Sequence, residues 1–432
     1  MTSAQLATRH SVLPHEITDA IIDHLQHDIQ ALSACSLVCF EWLRRSRHHI
    51  FSTIQLWPWR ARRLFELAKA KNCTFVDSIG RIEVDNSRMA RSTDTMDKGS
   101  EEDRNEVMLF GEMMSQSHIP NAAGIRALQI RNVDWTSFTP SQQADLRVGL
   151  RRFSHLDRLE LHGTVFHDLR EIQRILDALP HLLHFTADIS FSKYLEYTLE
   201  SASKTHLARP LVSLELGTAD AIATLLTSLT NGNSFVTVRV LRLRNVKQNI
   251  LQYIEKALQE LGGDLQEVVI GLSDDDPSRS SSGDLLRPLD LSPLSKMTKL
   301  GLENLVLTEE IIEKCLPSLL EGLESSFLET LGLHFLMGVK ENMESTDFRS
   351  LERVLLSLHF FGMKTANITV KVQSCASEDI TEKEATICRK MSCLRARGAL
   401  RVEVIGRWVT DGEESNSNKS VPEPTTRGMI IS

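Results

Sequence analysis

His24 and His27 stand one helical turn apart beside Asp23 and Asp28, the first spacing in this chain that could hold a metal ion. A catalytic or structural metal needs three or four ligands converging on one point. Here the two histidines fall on the polar side of a helix whose other side is apolar, the ordinary place for solvated side chains. His181 and His184 flank an apolar pair and read as the edge of a strand. Cys388 and Cys393 lie five apart with no second pair to complete a tetrahedral set. Cys35 and Cys39, one turn apart, read as small apolar residues. The remaining chemical cluster is basic. Arg44, Arg45, Arg47, Arg60, Arg62 and Arg63 surround His48 and His49, with Trp57 and Trp59 among them. Basic residues interleaved with aromatics can grip a single nucleic-acid strand. A net charge of −8 and a pI of about 6.0 argue against that use, so no nucleic-acid partner is expected. The cluster reads instead as the charged outer face of a helix, with the tryptophans sealing a junction to the rest of the chain.

The catalytic motifs are missing as well. The chain has no G-x-x-x-x-G-K-[ST] loop, no G-x-G-x-x-G, no G-x-S-x-G and no H-E-x-x-H. No catalytic residue, metal or cofactor is expected. Seven scattered cysteines fit a reducing compartment. The opening MTSAQLATRH lacks the apolar centre of a signal peptide, and no apolar run reaches the roughly 18 residues of a membrane span. A cytoplasmic or nuclear protein with no membrane partner is expected.

The elements that would position any site fall into two groups. The first is the segment LPHEITDAIIDHLQHDIQALSACSLVCFEWLRRSRHHIF, residues 13 to 51. Pro14 suits the first turn of a helix, where its missing N–H would be unpaired anyway. Ile17, Ile21, Ile22 and Leu25 recur at helical period. Asp28 is placed to cap a second helix, which carries Ile29, Leu32 and Cys35. Val38-Cys39 closes it, and Leu37, Val38, Phe40, Trp42 and Leu43 form a third apolar cluster. About forty residues this apolar cannot bury their own surface, so part of it must meet a neighbour.

The second group fills the rest of the chain. A unit of two apolar residues separated by one other begins at Ile54, Ile82, Leu128, Leu159, Leu214, Leu241, Val268, Leu300, Leu331, Ile368 and Val402. The interval is 28 residues from Ile54 to Ile82, 31 from Leu128 to Leu159 and 27 from Leu214 to Leu241. A degenerate unit near Leu183-His184-Phe185 divides the double-length gap between Leu159 and Leu214. Each unit reads as a short strand. Between them lie amphipathic helices with stripes at Ile172, Ile175, Leu176 and Leu179, at Ile222, Leu225, Leu226 and Leu229, at Leu251, Ile254, Leu258 and Leu261, and at Leu351, Val354, Leu355 and Leu358. One strand and one helix cannot form a core, but stacked neighbours can. The expected fold is α/β: an N-terminal helical domain over residues 11–51, then a right-handed α/β solenoid over 52–410. A polar insert at 86–105, a solvated loop at 273–284 and a disordered tail at 411–432 interrupt it or trail behind it.

Leu-Pro at 13–14, Asp28, Val38-Cys39 and Trp42 together resemble the F-box, the helical module that docks on the Skp-family adaptor of Skp–Cullin–F-box ubiquitin ligases. Phe40 departs from that pattern, which usually has a basic or small polar residue there. The resemblance implies a non-catalytic substrate-recognition subunit. Leu13, Pro14, Ile17, Ile21, Ile29, Leu32, Val38 and Trp42 would supply the adaptor-facing surface or the packing beneath it. A Skp-family adaptor and, through it, a Cullin–RING ligase would be partners, and the solenoid would bind a protein substrate. The other reading is a ligase-independent interaction scaffold whose helical N-terminus caps the solenoid. The repeated unit resembles a long, strand-plus-helix leucine-rich repeat. That family places Asn three residues after the second strand Leu. Here those positions hold Val133, Thr164, Val246, Leu305 and Leu336, and Asn132, Asn245 and Asn304 fall one residue earlier. ALSACSLVCFEWLRRSRHHIF also resembles the divergent F-box proteins of mushroom-forming fungi.

Overall fold

A computed structural model describes residues 14–56, 64, 66–67, 70, 73, 75–86, 124–192, 211–230, 237–273, 286, 289–323, 325–337, 346–357, 360, 362–372 and 377–406. Leu13, Trp57, Trp59, Leu358 and nearly all of the 86–105, 273–284 and 411–432 segments lie outside the described residues. Three helices lead: α1 (His15–His24), α2 (Ile29–Cys35) and α3 (Phe40–Ser52). Then come twelve strands: β1 (Thr53–Leu56), β2 (Arg81–Asp85), β3 (Ala127–Arg131), β4 (Arg158–Phe166), β5 (His184–Phe191), β6 (Ser213–Leu216), β7 (Val240–Val246), β8 (Glu267–Leu272), β9 (Lys299–Val306), β10 (Thr330–Met337), β11 (Thr365–Val372) and β12 (Leu400–Gly406). They form one parallel sheet whose spatial order is the chain order, and it does not close on itself.

The connections supply the helices. α4 (Pro140–Leu150) follows β3, α5 (Leu169–Ala178) follows β4, α6 (Ala219–Thr230) follows β6 and α7 (Leu251–Leu261) follows β7. α8 (Leu316–Glu321), continuing a π-helical turn at Ile311–Cys315, follows β9, and α9 (Arg349–Leu355) follows β10. α10 (Ser377–Lys390) and α11 (Ser392–Ala396) link β11 to β12. Local chemistry starts two of them: Thr139 and Gln142 form a reciprocal capping box on α4, and Asp168 accepts from the Arg170 N–H to open α5.

The register explains the apolar repeat. Ile54, Ile82, Leu128, Leu159, Phe185, Leu214, Leu241, Val268, Leu300, Leu331, Ala366 and Leu400 pair in one continuous row. The row two residues on runs from Leu56 to Val402. Side chains alternate across a strand, so both rows share the face that the helices cover. The helix stripes meet them there: Ile172, Ile222, Ile254 and Leu351 are fully buried. Two expected starting points shift. Ile368 and Val402 belong to the second row, and the row-mates of Leu331 are Ala366 and Leu400. The face is the expected one; the small side chain of Ala366 hides the first position of β11.

The asparagines behave differently from the leucine-rich-repeat pattern. Asn132, Asn245 and Asn304 have φ of 55°, 55° and 60°, and Gly163 occupies the same place in β4 at 58°. At Gly163, Asn245 and Asn304 the strand carries one residue more than its neighbour, a β-bulge. Asn tolerates the left-handed region because its short amide can bond locally. The amide of Asn245 donates to the Gly217 carbonyl at 2.7 Å, and that of Asn304 to the Leu272 carbonyl at 3.1 Å. Each reaches back one strand, so these residues tie neighbouring repeats together from the bulge itself.

Candidate docking surface

The N-terminal helices are built around few buried residues. The Pro14 carbonyl accepts from the N–H groups of Ile17 and Thr18, so Pro14 is the N-cap of α1, just outside the first turn where the sequence placed it. The Asp28 carboxylate accepts from the Ala31 N–H at 2.9 Å and starts α2 as expected. α2 ends at Cys35, before the Val38-Cys39 pair, and Cys39 becomes the N-cap of α3. Ile22 of α1 and Leu32 of α2 are fully buried, and α3 packs against both of those helices.

Asp23 adds a polar clamp. Its carboxylate accepts from Arg45 Nε at 2.7 Å and from Arg45 Nη2 at 2.6 Å, and His49 Nε2 lies 2.7 Å away. Arg45 and His49 are four apart on α3, so both reach α1 from one face. The bonds from Arg45 and then His49 hold the Asp23 carboxyl well below the usual carboxylate range. Burial, with the charges of His49 and Arg45, pushes His48 downward. Part of the basic run is thus spent on joining two helices. Arg60, Arg62 and Arg63 lie outside the described residues.

The unit is fixed to the sheet through α3, which runs directly into β1. The Ser52 carbonyl accepts from the Gly80 N–H at 2.9 Å, and the rings of Phe51 and Phe75 meet at a tilt of 32° with centroids 4.9 Å apart. α1–α3 therefore stand at the β1 end of the sheet.

Burial divides the proposed site residues. Leu32 is packing, Ile29 and Trp42 are half-buried, and Pro14 is exposed. Ile17 and Ile21 are 48% and 42% exposed, Val38 60%, and two residues outside the expected set stand out further: Leu37 at 86% and Phe40 at 81%. Of eleven exposed large apolar residues among those described, these five fall within residues 17–40, while the others are scattered from Leu67 to Ile405. Scattered exposed apolar residues are ordinary; five of them within one short segment are not. Leu37 and Phe40 are visible in the sequence as part of an apolar cluster; their exposure is not, because α2 and α3 leave the turn between them uncovered.

The sheet face away from the helices is polar and largely paired with itself. Arg81 bonds Glu83, Gln129 and Glu160 across three strands. Farther along, Arg242 bonds Glu267 at 2.7 Å, Lys299 reaches Glu267 at 3.2 Å, and Arg244 pairs with Glu215. His162 and then Arg81 bring the Glu160 carboxyl down to about 2 against the opposing effect of burial. Burial also opposes ionisation of Glu267, but the bonds from Arg242 and Lys299 win and its pKa is lowered.

The remaining sequence candidates stay apart. His24 and His27 are exposed, His184 is the first residue of β5, and His181 lies beside His155. Cys35 and Cys388 are half-buried, and Cys39 and Cys393 are exposed. Among the described residues no group of three or more His, Cys, Asp or Glu side chains is placed to hold a metal ion, and no helix is long and apolar enough to cross a membrane. No family model matches this chain, and no curated protein matches its sequence.

Proposed function

We propose that this protein is a substrate-recognition adaptor of a Skp–Cullin–F-box ubiquitin ligase, in which α1–α3 are the F-box and the sheet with its helices is a leucine-rich-repeat-like solenoid. The observation that carries the reading is the exposed apolar surface of Ile17, Ile21, Leu37, Val38 and Phe40, held on a unit whose core residues Ile22 and Leu32 are already satisfied. Burying several such side chains on a partner is the usual source of binding energy at an interface centre. The subunit contributes no chemistry of its own. It binds a substrate and presents it, turning an encounter into a near-unimolecular transfer by the rest of the ligase. The partners are a Skp-family adaptor, through it a Cullin–RING ligase, and a protein substrate; the compartment is cytoplasm or nucleus.

The test is co-expression of the full chain with a Skp-family adaptor and size-exclusion chromatography, repeated with Leu13 and Pro14 both changed to Ala. Co-elution of the native chain and its loss in the double variant are expected. A native chain that elutes without the adaptor, or a double variant that retains it, overturns the proposal and leaves α1–α3 as a cap on the first strand.

A further inference from the structure

The two ends of the sheet are finished differently. At the β1 end α3 packs against the strand and the turn at Val76–Ser78. At the other end β12 pairs with β11 alone, and no described residue pairs with its outer edge. The Ala366 N–H donates to the Ala399 carbonyl at 2.7 Å, so Ala399, Arg401 and Glu403 direct their backbone groups at β11. By alternation, Leu400, Val402 and Val404 direct theirs outward. The apolar rows are also incomplete here. In each of the other eleven strands the two row residues are buried, from Ile54 and Leu56 to Ala366 and Ile368. In β12 the equivalents, Leu400 and Val402, are only partly covered by α10 and α11. Such an edge is ordinarily blunted by Pro, Lys or a very short strand. β12 has seven residues, LRVEVIG, with neither Pro nor Lys, and its two charges, Arg401 and Glu403, are of opposite sign.

We propose that β12 is a homotypic interface, at which a second copy of this chain adds its own β12 in antiparallel register centred on Val402. The register is selected by three features at once. Val402 meets Val402 of the partner, and Leu400 meets Val404, all at positions whose backbone groups point outward. These form hydrogen-bonded pairs, giving about six new inter-strand bonds. Arg401 and Glu403, both exposed on the open face, then stand opposite the partner's Glu403 and Arg401 in the non-hydrogen-bonded positions. Side chains there approach most closely, and opposite charges attract. Leu400 and Val402 gain the apolar neighbour that the last repeat lacks. A twofold axis makes the contact closed, so two copies satisfy it and no filament grows. The α1–α3 units are left free at the two outer ends. Each lies about 50 Å from the axis along the sheet, counting eleven steps of ~4.8 Å. The inference is independent of the adaptor reading.

Analytical ultracentrifugation of the full chain over a roughly hundred-fold concentration range tests it. The native mass is expected to rise with concentration to that of a dimer. Arg401→Glu places like charges opposite one another twice and is expected to weaken dimerisation at least about tenfold. The double exchange Arg401→Glu with Glu403→Arg is expected to restore it. Val402→Pro removes an outward N–H without touching the β11 ladder, and should give a monomer with unchanged circular dichroism. A native chain that stays monomeric throughout overturns the proposal, as does a dimer indifferent to Arg401→Glu and Val402→Pro.

Discussion

Replacing Asn245 isolates what a bulge asparagine contributes. The residue sits at φ 55° and its amide donates to the Gly217 carbonyl at 2.7 Å. Asn245→Ala loses both properties. A left-handed alanine costs about 1–2 kcal/mol, and a hydrogen bond of this kind contributes about 0.5–1.5 kcal/mol. The expected destabilisation is therefore about 2–3 kcal/mol. Asn245→Gly keeps the backbone conformation, losing the bond and gaining some unfolded-state entropy, so about 1 kcal/mol is expected. At Asn132 the amide donates to the half-buried Asp85 carboxylate at 3.2 Å in a solvent-exposed bond, and Asn132→Gly should cost less still. Urea unfolding followed by circular dichroism gives the ranking. In a stacked array one repeat can open alone, so amide exchange in β7 and β8 supplies a second, local reading. Ala is expected to be worse than Gly at position 245, because only Gly keeps the left-handed backbone without strain. Equal losses, or Gly worse than Ala, would show that the left-handed backbone is not what the asparagine supports.

Two more outcomes rest on the same geometry. Phe40→Asp should leave the free energy of unfolding within about 0.5 kcal/mol, since the side chain is 81% exposed, yet weaken adaptor binding at least about tenfold by calorimetry; a variant that binds normally removes Phe40 from the surface. Glu160 has its pKa lowered from 4.5 to about 2, so its contribution is present above about pH 4.5 and is lost as the pH falls toward 2. Glu160→Gln should accordingly be less stable than the native chain at about pH 5, with the difference narrowing as the pH is lowered toward 2; a difference that widens on acidification refutes the assignment.

Much of the sheet could be read from the residues, and the reason is periodic burial. Ile54, Ile82, Leu128, Leu159, Leu214, Leu241, Val268, Leu300 and Leu331 all mark the observed row, because each repeat must bury the same two positions under its neighbours' helices. Where the burial is met by an unexpected side chain, the signal fades: Phe185 in β5 and Ala366 in β11 hold the position without repeating its spelling. The bulges were not legible, since an Asn after a strand reads equally as a turn. Ion pairs on the open face were not legible either. Arg81 and Glu160 are brought within 2.9 Å across 79 residues of chain. Nothing local in either segment announces the other. In α1, Ile21 and Ile22 are neighbours on one apolar stripe, yet Ile22 is fully buried and Ile21 is 42% exposed. Helical period says that a face exists; only packing says how much of it the chain covers by itself.

That division bears on how the two readings of α1–α3 can be separated. Capping and docking use different residues. Ile22, Leu32, Phe51 and the Asp23–Arg45–His49 clamp face inward or toward β1, while Ile17, Ile21, Leu37, Val38 and Phe40 face outward. Deleting residues 1–52 would remove both at once. It would strip α3 from β1 and leave a second raw edge on the sheet, so lost adaptor binding in that form could reflect a damaged fold. Point changes on the outward residues leave the cap in place. A chain that keeps its cooperative unfolding but loses the adaptor after Phe40→Asp assigns the surface to docking. One that loses both assigns the exposed ring to the fold, against its observed exposure.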